Sequence, residues 1–152
     1  MIRTEAEYKR ALEKLEEDAR YVEEQRSRLQ EMDLSADEVA YALQPALSFT
    51  AQLKEEVETY ERMRRGDLGP LFSLAHIGRW LMGARIALGL TQQELAERLG
   101  VSAAQVSRDE RNDYHGITVE RAQRILKAFE VRFRAEATNP VFADRDPGLE
   151  YA

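Results

Sequence analysis

The sequence predicts a mainly α-helical chain: an N-terminal antiparallel hairpin of two long helices, then a bundle of short helices, then one short β-strand. Three observations predict it. Apolar residues recur at heptad spacing in two stretches before residue 65. Capping-box spacing, Ser or Thr with Glu three residues later, occurs at Thr4/Glu7, Ser35/Glu38 and Thr91/Glu94. Gly66, Gly69 and Pro70 punctuate the chain between the long-period and short-period halves.

The first helix is expected from Thr4 to about Glu31. Its seam is Tyr8, Leu12, Leu15, Ala19, Val22, Arg26 and Leu29, apolar apart from Arg26. After a short link at Met32–Leu34, a second seam runs through Val39, Leu43, Ala46, Thr50, Leu53, Val57 and Tyr60. Pro45 lies inside it and is expected to break or kink the helix, because proline lacks the amide and crowds the preceding turn. Two amphipathic helices joined by a short link fold back on each other, so residues 1–66 read as a coiled-coil-like arm.

A second domain is expected over residues 70–130. Its first helix runs from near Pro70 to Gly89, with Leu74, Ile77, Leu81, Ala84 and Leu88 buried and Trp80 beside them, against the hairpin. Thr91 caps a short helix that Gly100 closes, Ser102 caps the next through Arg111, and Thr118 caps a fourth through Phe129. Val131–Thr138 alternates apolar and polar residues and reads as a strand, a candidate dimerisation element because a lone strand needs a partner. Residues 139–152, acidic and containing Pro147-Gly148, read as a tail.

Composition narrows the function. The 152 residues are 33% charged and 43% hydrophobic, a globular balance. There is no cysteine, which excludes disulfides and thiol chemistry, and His76 and His115 are too few for a convincing metal site. No apolar run approaches the roughly 20 residues of a membrane span, and the charged N-terminus does not read as a signal peptide, so a cytoplasmic location is expected. No nucleophile–base pair, glycine-rich phosphate loop or metal cluster stands out, so neither enzymatic activity nor a cofactor is expected. The net charge of −6 is unevenly placed. Met1–Arg65 holds 11 basic and 16 acidic residues, a net −5, whereas His76–Thr138 holds 10 and 8, a net +2.

A short helix, a glycine turn and a second short helix form the geometry that presents one helix to the major groove. The carrying residues are Leu90-Thr91-Gln92-Gln93-Glu94-Leu95-Ala96-Glu97-Arg98-Leu99-Gly100-Val101-Ser102, followed by Gln105-Val106-Ser107-Arg108 and Glu110. In these the sequence closely resembles the Cro/C1-repressor (XRE) helix-turn-helix family, over roughly Ile77–Phe129. The resemblance implies a lambda-repressor-like bundle that binds double-stranded DNA, with Gln92 on a backbone phosphate. It places Ala103, Ala104, Ser107 and Arg108 toward the groove. Ser102 and Gln105 join that surface, and Arg111, Asn112, Tyr114 and His115 lie near the other phosphate wall.

Each position also has a plainer reading. Gln105 can complete a capping box with Ser102, Glu110 can pair with a nearby basic side chain, and Arg121 and Arg124 can be solvated helix charges. Asp109 departs from the family, which commonly has an apolar residue there; buried without a partner it would be costly. A weaker resemblance joins the opening Ile2-Arg3-Thr4-Glu5-Ala6-Glu7-Tyr8 and Tyr60-Glu61 to HigA-type antitoxins, although Tyr8 and Tyr60 also suit the end of a packed hairpin.

Function is therefore expected to be that of a homodimeric repressor or autoregulator. The alternatives are an antitoxin that holds its toxin with the acidic arm, and a protein-interaction module without DNA binding.

Overall fold

The computed structural model describes residues 1–134. Among the described residues there are six α-helices and one 3-10 turn. Helices α1 (Glu5–Glu31) and α2 (Ala36–Arg64) form the hairpin. A 3-10 turn at Leu74–His76 leads into α3 (Ile77–Ala87), α4 (Gln92–Leu99), α5 (Ala103–Arg111) and α6 (Val119–Ala128).

All three expected capping boxes form, with the Ser or Thr side chain on the N3 amide and the N3 glutamate on the cap amide. At α4 the Glu94 carboxylate accepts from the Thr91 amide at 2.7 Å and from its hydroxyl at 2.8 Å. The backbone bond, and then the hydroxyl bond, hold the Glu94 carboxyl below the ordinary glutamate value. A lowered folded-state value means that this contribution is complete above the ordinary value and is lost as pH falls through the lowered one. Carboxyl carbon NMR titration should place Glu94 below an unstructured glutamate, and a Thr91→Ala chain, which loses the hydroxyl bond but keeps the backbone one, should bring it only part of the way back.

The seam expected in α2 is the buried one: Val39, Leu43, Val57 and Tyr60 are buried, and Ala46, Thr50 and Leu53 are half-buried. Pro45 does not break the helix, which is continuous from Ala36 to Arg64. Pro45 and Tyr41 are both exposed, so the gap in the helical ladder falls on the solvent side of α2, where the loss is tolerable.

The α1 seam is corrected at alternate positions. Tyr8, Leu15, Val22 and Leu29 face α2, but Ala11, Asp18 and Gln25 join them, while Leu12, Ala19 and Arg26 are exposed. Both sets alternate steps of three and four. Asp18 is tolerated at the edge because Lys14 bridges it at 2.9 Å.

The first helix of the second half is shorter than expected. Ser73 caps the 3-10 turn instead of a helix beginning near Pro70, and Leu74 and Leu88 are exposed. Helix α3 is buried on two sides. Leu81 and Ala84 join Leu95, Ala96, Val106, Ile125 and Phe129 in the main core. Met82 and Ile86 join Ile2, Ala11, Val57 and Tyr60 in a second core at the foot of the arm. Trp80 packs against the main core, and it borders a cleft together with Thr59, Arg62 and Met63 of α2. Tyr8 and Tyr60 stack at 5.1 Å, with the Tyr8 hydroxyl donating to Glu61 at 2.7 Å, as the end of a packed hairpin requires.

The strand expected at Val131–Thr138 is not formed in its described part, residues 131–134, where Val131 is half-buried against the main core. Its other half and the expected tail lie outside the described residues.

Candidate nucleic-acid interface

Helices α4 and α5 cross through Ala96 and Val106, both almost fully buried, and Gly100 turns the chain between them in the left-handed conformation (φ 67°). Val106 anchors α5 from within, so the opposite side of that helix faces outward. Ala104, Arg108 and Arg111 are exposed there, and Ala103, Gln105 and Ser107 are half-buried on its flanks. Ser102 is the N-cap, accepting from the Gln105 amide at 3.2 Å. Asn112, exposed, is the C-cap.

Gln105 does not reciprocate the cap. Its side-chain amide donates to Asp109 at 2.7 Å, and its oxygen accepts from Arg108 at 3.0 Å. Asp109 is paired after all, with Arg121 of α6, which explains how a carboxylate is accommodated there. Arg121 is therefore not a free solvated charge, and Arg124 donates to the Leu99 carbonyl at 3.0 Å.

A buried ion pair braces the site from below. Arg85 is 3% exposed and Glu110 is fully buried. Arg85 Nε donates to Glu110 Oε1, and Nη2 donates to Oε2 at 2.7 Å, the two-pronged arrangement that guanidinium and carboxylate favour. Gln92 Nε2 adds a third donor to Oε2 at 2.8 Å. Arg85 also donates to the carbonyls of Leu90 at 2.7 Å and Arg3 at 2.8 Å, and Arg3 Nε donates to the Glu110 carbonyl at 3.2 Å. One ion pair thus ties α3, the start of α4, the last turn of α5 and the segment preceding α1. Glu110 as a structural partner was legible in the sequence. Nothing local in the sequence marks Arg3 for this network, whereas Arg85, one turn after Leu81 and among apolar residues, signals a required acidic partner.

Gln92 sits at the first position of α4, half-buried. The amides of Glu94 and Leu95 are taken by Thr91, which leaves the first-turn amides of Gln92 and Gln93 for an external acceptor.

The loop after α5 differs most from expectation. Asp113 and Tyr114 are both left-handed, at φ 49° and 51°, a costly conformation for a tyrosine. Tyr114 is 5% exposed and lies in the main core, and burial together with the Glu110 charge pushes its hydroxyl up. Its ring therefore supports the loop from inside, unlike the exposed Arg111, Asn112 and His115. The preceding Asp113 pairs with Arg79 of α3 at 3.2 Å.

Residues 81–135 match a helix-turn-helix family model, about a third of the chain. No curated protein and no solved structure matches the chain. The matched helices carry the capped, glycine-turned pair just described, and this segment belongs to the Cro/C1-type (XRE) helix-turn-helix family of DNA-binding transcription regulators.

Proposed function

We propose that the protein is a sequence-specific duplex-DNA-binding regulator acting as a homodimeric repressor or autoregulator. The observation that carries this is the outward face of α5, with Arg108 and Arg111 exposed beside the free first-turn amides of α4. In this reading α5 enters the major groove. Arg108 and Ser107 offer hydrogen bonds to base edges or phosphate, and Ala103 and Ala104 offer only apolar contact, as to a thymine methyl. Gln92 and the α4 amides take one phosphate wall, and Ser102 and Gln105 flank the groove. Arg111 and Asn112 take the other wall, with Tyr114 holding their loop in shape.

The net +2 of His76–Thr138 is a small electrostatic contribution, so two linked modules on half-sites about 34 Å apart would supply the affinity that one lacks. Val131–Thr138 is the proposed dimerisation segment. The arm, residues 1–66, stays off the duplex because of its acidity, and residues 70–130 do the reading.

The test is selection of bound sequences from random duplexes, then footprinting and gel shifts at varied salt. Two protected half-sites are expected. Arg108→Ala should weaken binding by about 1–3 kcal/mol if it reads a base, or lower the salt slope by about one if it meets a phosphate. Wild-type affinity and slope in that variant would contradict the docking. Gln92→Ala also strips a donor from buried Glu110, so its weaker DNA binding should come with a lower melting temperature.

A second reading, an antitoxin that holds a partner protein on its arm, is favoured by the −5 charge of that arm.

A further inference from the structure

The arm carries an apolar surface that the α1–α2 seam leaves uncovered. Tyr41, Pro45 and Phe49 follow one another at four-residue steps along α2, which places them on one stripe. Tyr41 is 80% and Phe49 73% exposed, and Tyr21, on α1, is 54% exposed. Tyr21 and Phe49 border a groove of about 470 Å³ whose deeper residues are Val22, Ala46 and Leu53. A contiguous apolar patch of this kind on a charged helical surface is a mark of a partner site.

Charge narrows the occupant. Lys14, Asp18 and Glu56 also line the groove, Asp18 bridged by Lys14 at 2.9 Å and Glu56 by the Met1 ammonium at 2.9 Å, and the arm as a whole carries −5. Lys14, which bridges Asp18, is itself exposed, and an exposed bridge of this kind is weak enough to be exchanged. Pro45 leaves the Tyr41 carbonyl without its i+4 helical donor along the same stripe. Acidic side chains and a carbonyl without that donor call for donors and positive charge. The arm of a second copy would bring another −5 surface against this one, which opposes self-pairing.

We propose that this groove receives a cationic amphipathic helix of a partner protein. Its apolar side chains would sit between Tyr21 and Phe49, and its Lys or Arg side chains would reach Asp18, Glu56 and the Tyr41 carbonyl. The proposal deepens the second reading above and is independent of DNA binding.

The probe is a designed Leu/Lys helical peptide about five turns long, titrated into the full chain and followed by amide NMR shifts and calorimetry. Its control is a Leu/Glu peptide of the same apolar pattern. The Leu/Lys peptide should bind with shifts centred on Tyr21, Ala46 and Phe49, and the Leu/Glu peptide should bind at least about tenfold more weakly. Phe49→Ser, an exposed change that should leave folding and DNA binding intact, should weaken the Leu/Lys peptide by about tenfold or more. Four results would overturn the proposal: no binding, equal binding of both peptides, affinity indifferent to Phe49, or sedimentation showing that Phe49→Ser splits a self-associated species. A natural partner held by the arm regardless of Phe49 would remove this site and leave the second reading standing.

Discussion

Replacing Glu110 by alanine should lower the unfolding free energy by about 3–5 kcal/mol, because Arg85 would be left as an uncompensated buried charge. The loss matters against a total of about 5–15 kcal/mol for a typical domain. Glu110 accepts from both Arg85 and Gln92, so one substitution strips three hydrogen bonds. Replacing both partners with apolar residues, Arg85→Met with Glu110→Leu, should recover part of the loss, since burying two paired charges is itself unfavourable. Recovery should be incomplete. The carbonyls of Leu90 and Arg3 would lose the donor that Arg85 supplies, at about 1–3 kcal/mol for each one left buried and unsatisfied. Urea unfolding of the unmutated protein and of these two variants is the measurement. A single-variant loss below about 1 kcal/mol, the ordinary value of one hydrogen bond, would show that the pair does not brace the site.

Gly78→Ala should also be severely destabilising, although helix propensity alone favours alanine by about 1 kcal/mol. A Cβ at Gly78 would lie 1.9 Å from the Asp113 carbonyl oxygen and 3.0 Å from Tyr114 Cβ. That oxygen is backbone, in a loop whose two left-handed residues leave little freedom to retreat. Overpacking costs of about 1–3 kcal/mol or more should therefore exceed the propensity gain. Gly83→Ala is the control. Its nearest atom, Leu68 Cδ2 at 2.7 Å, ends a side chain that can turn away, so the cost should be much smaller. If thermal melts ranked the two variants equally, the close approach of α3 to the loop would not constrain the fold. Because that loop directly follows Arg111 and Asn112 at the end of α5, Gly78→Ala should weaken DNA binding more than its stability loss alone explains.

Much of this architecture is legible in the sequence because its signals are local. A capping box needs only two residues three apart, and Thr4, Ser35 and Thr91 each start a helix as expected. The Gly100 turn and the Val106 anchor likewise follow from spacing within about one turn. What escaped depends on contacts distant in sequence. The α1 seam could be written through Leu12 and Ala19 or through Ala11 and Asp18, both with heptad spacing; only the rotation against α2 decides between them. Helix α3 gave a misleading stripe because it is buried on two sides and so lacks the contrast from which amphipathicity is read. Tyr114 sits between polar loop residues, and its inward turn depends on a backbone conformation that composition does not signal. Arg121 and Asp109 look like two surface charges until α5 and α6 bring them together.

The position of α3 between two cores has a thermodynamic consequence. Neither core can lose its α3 face without exposing the other, so the foot of the arm and the helix-turn-helix bundle should open together rather than as separate units. The tip of the hairpin has only its own small cluster of Val22, Val39 and Leu43 and touches neither. Amide exchange should then be slowest across α3 and the α2 residues beside Val57 and Tyr60, and should quicken toward the link at Met32–Leu34. A ligand seated midway along the arm would hold closed a segment that otherwise frays, and would tighten the arm from its weaker end inward.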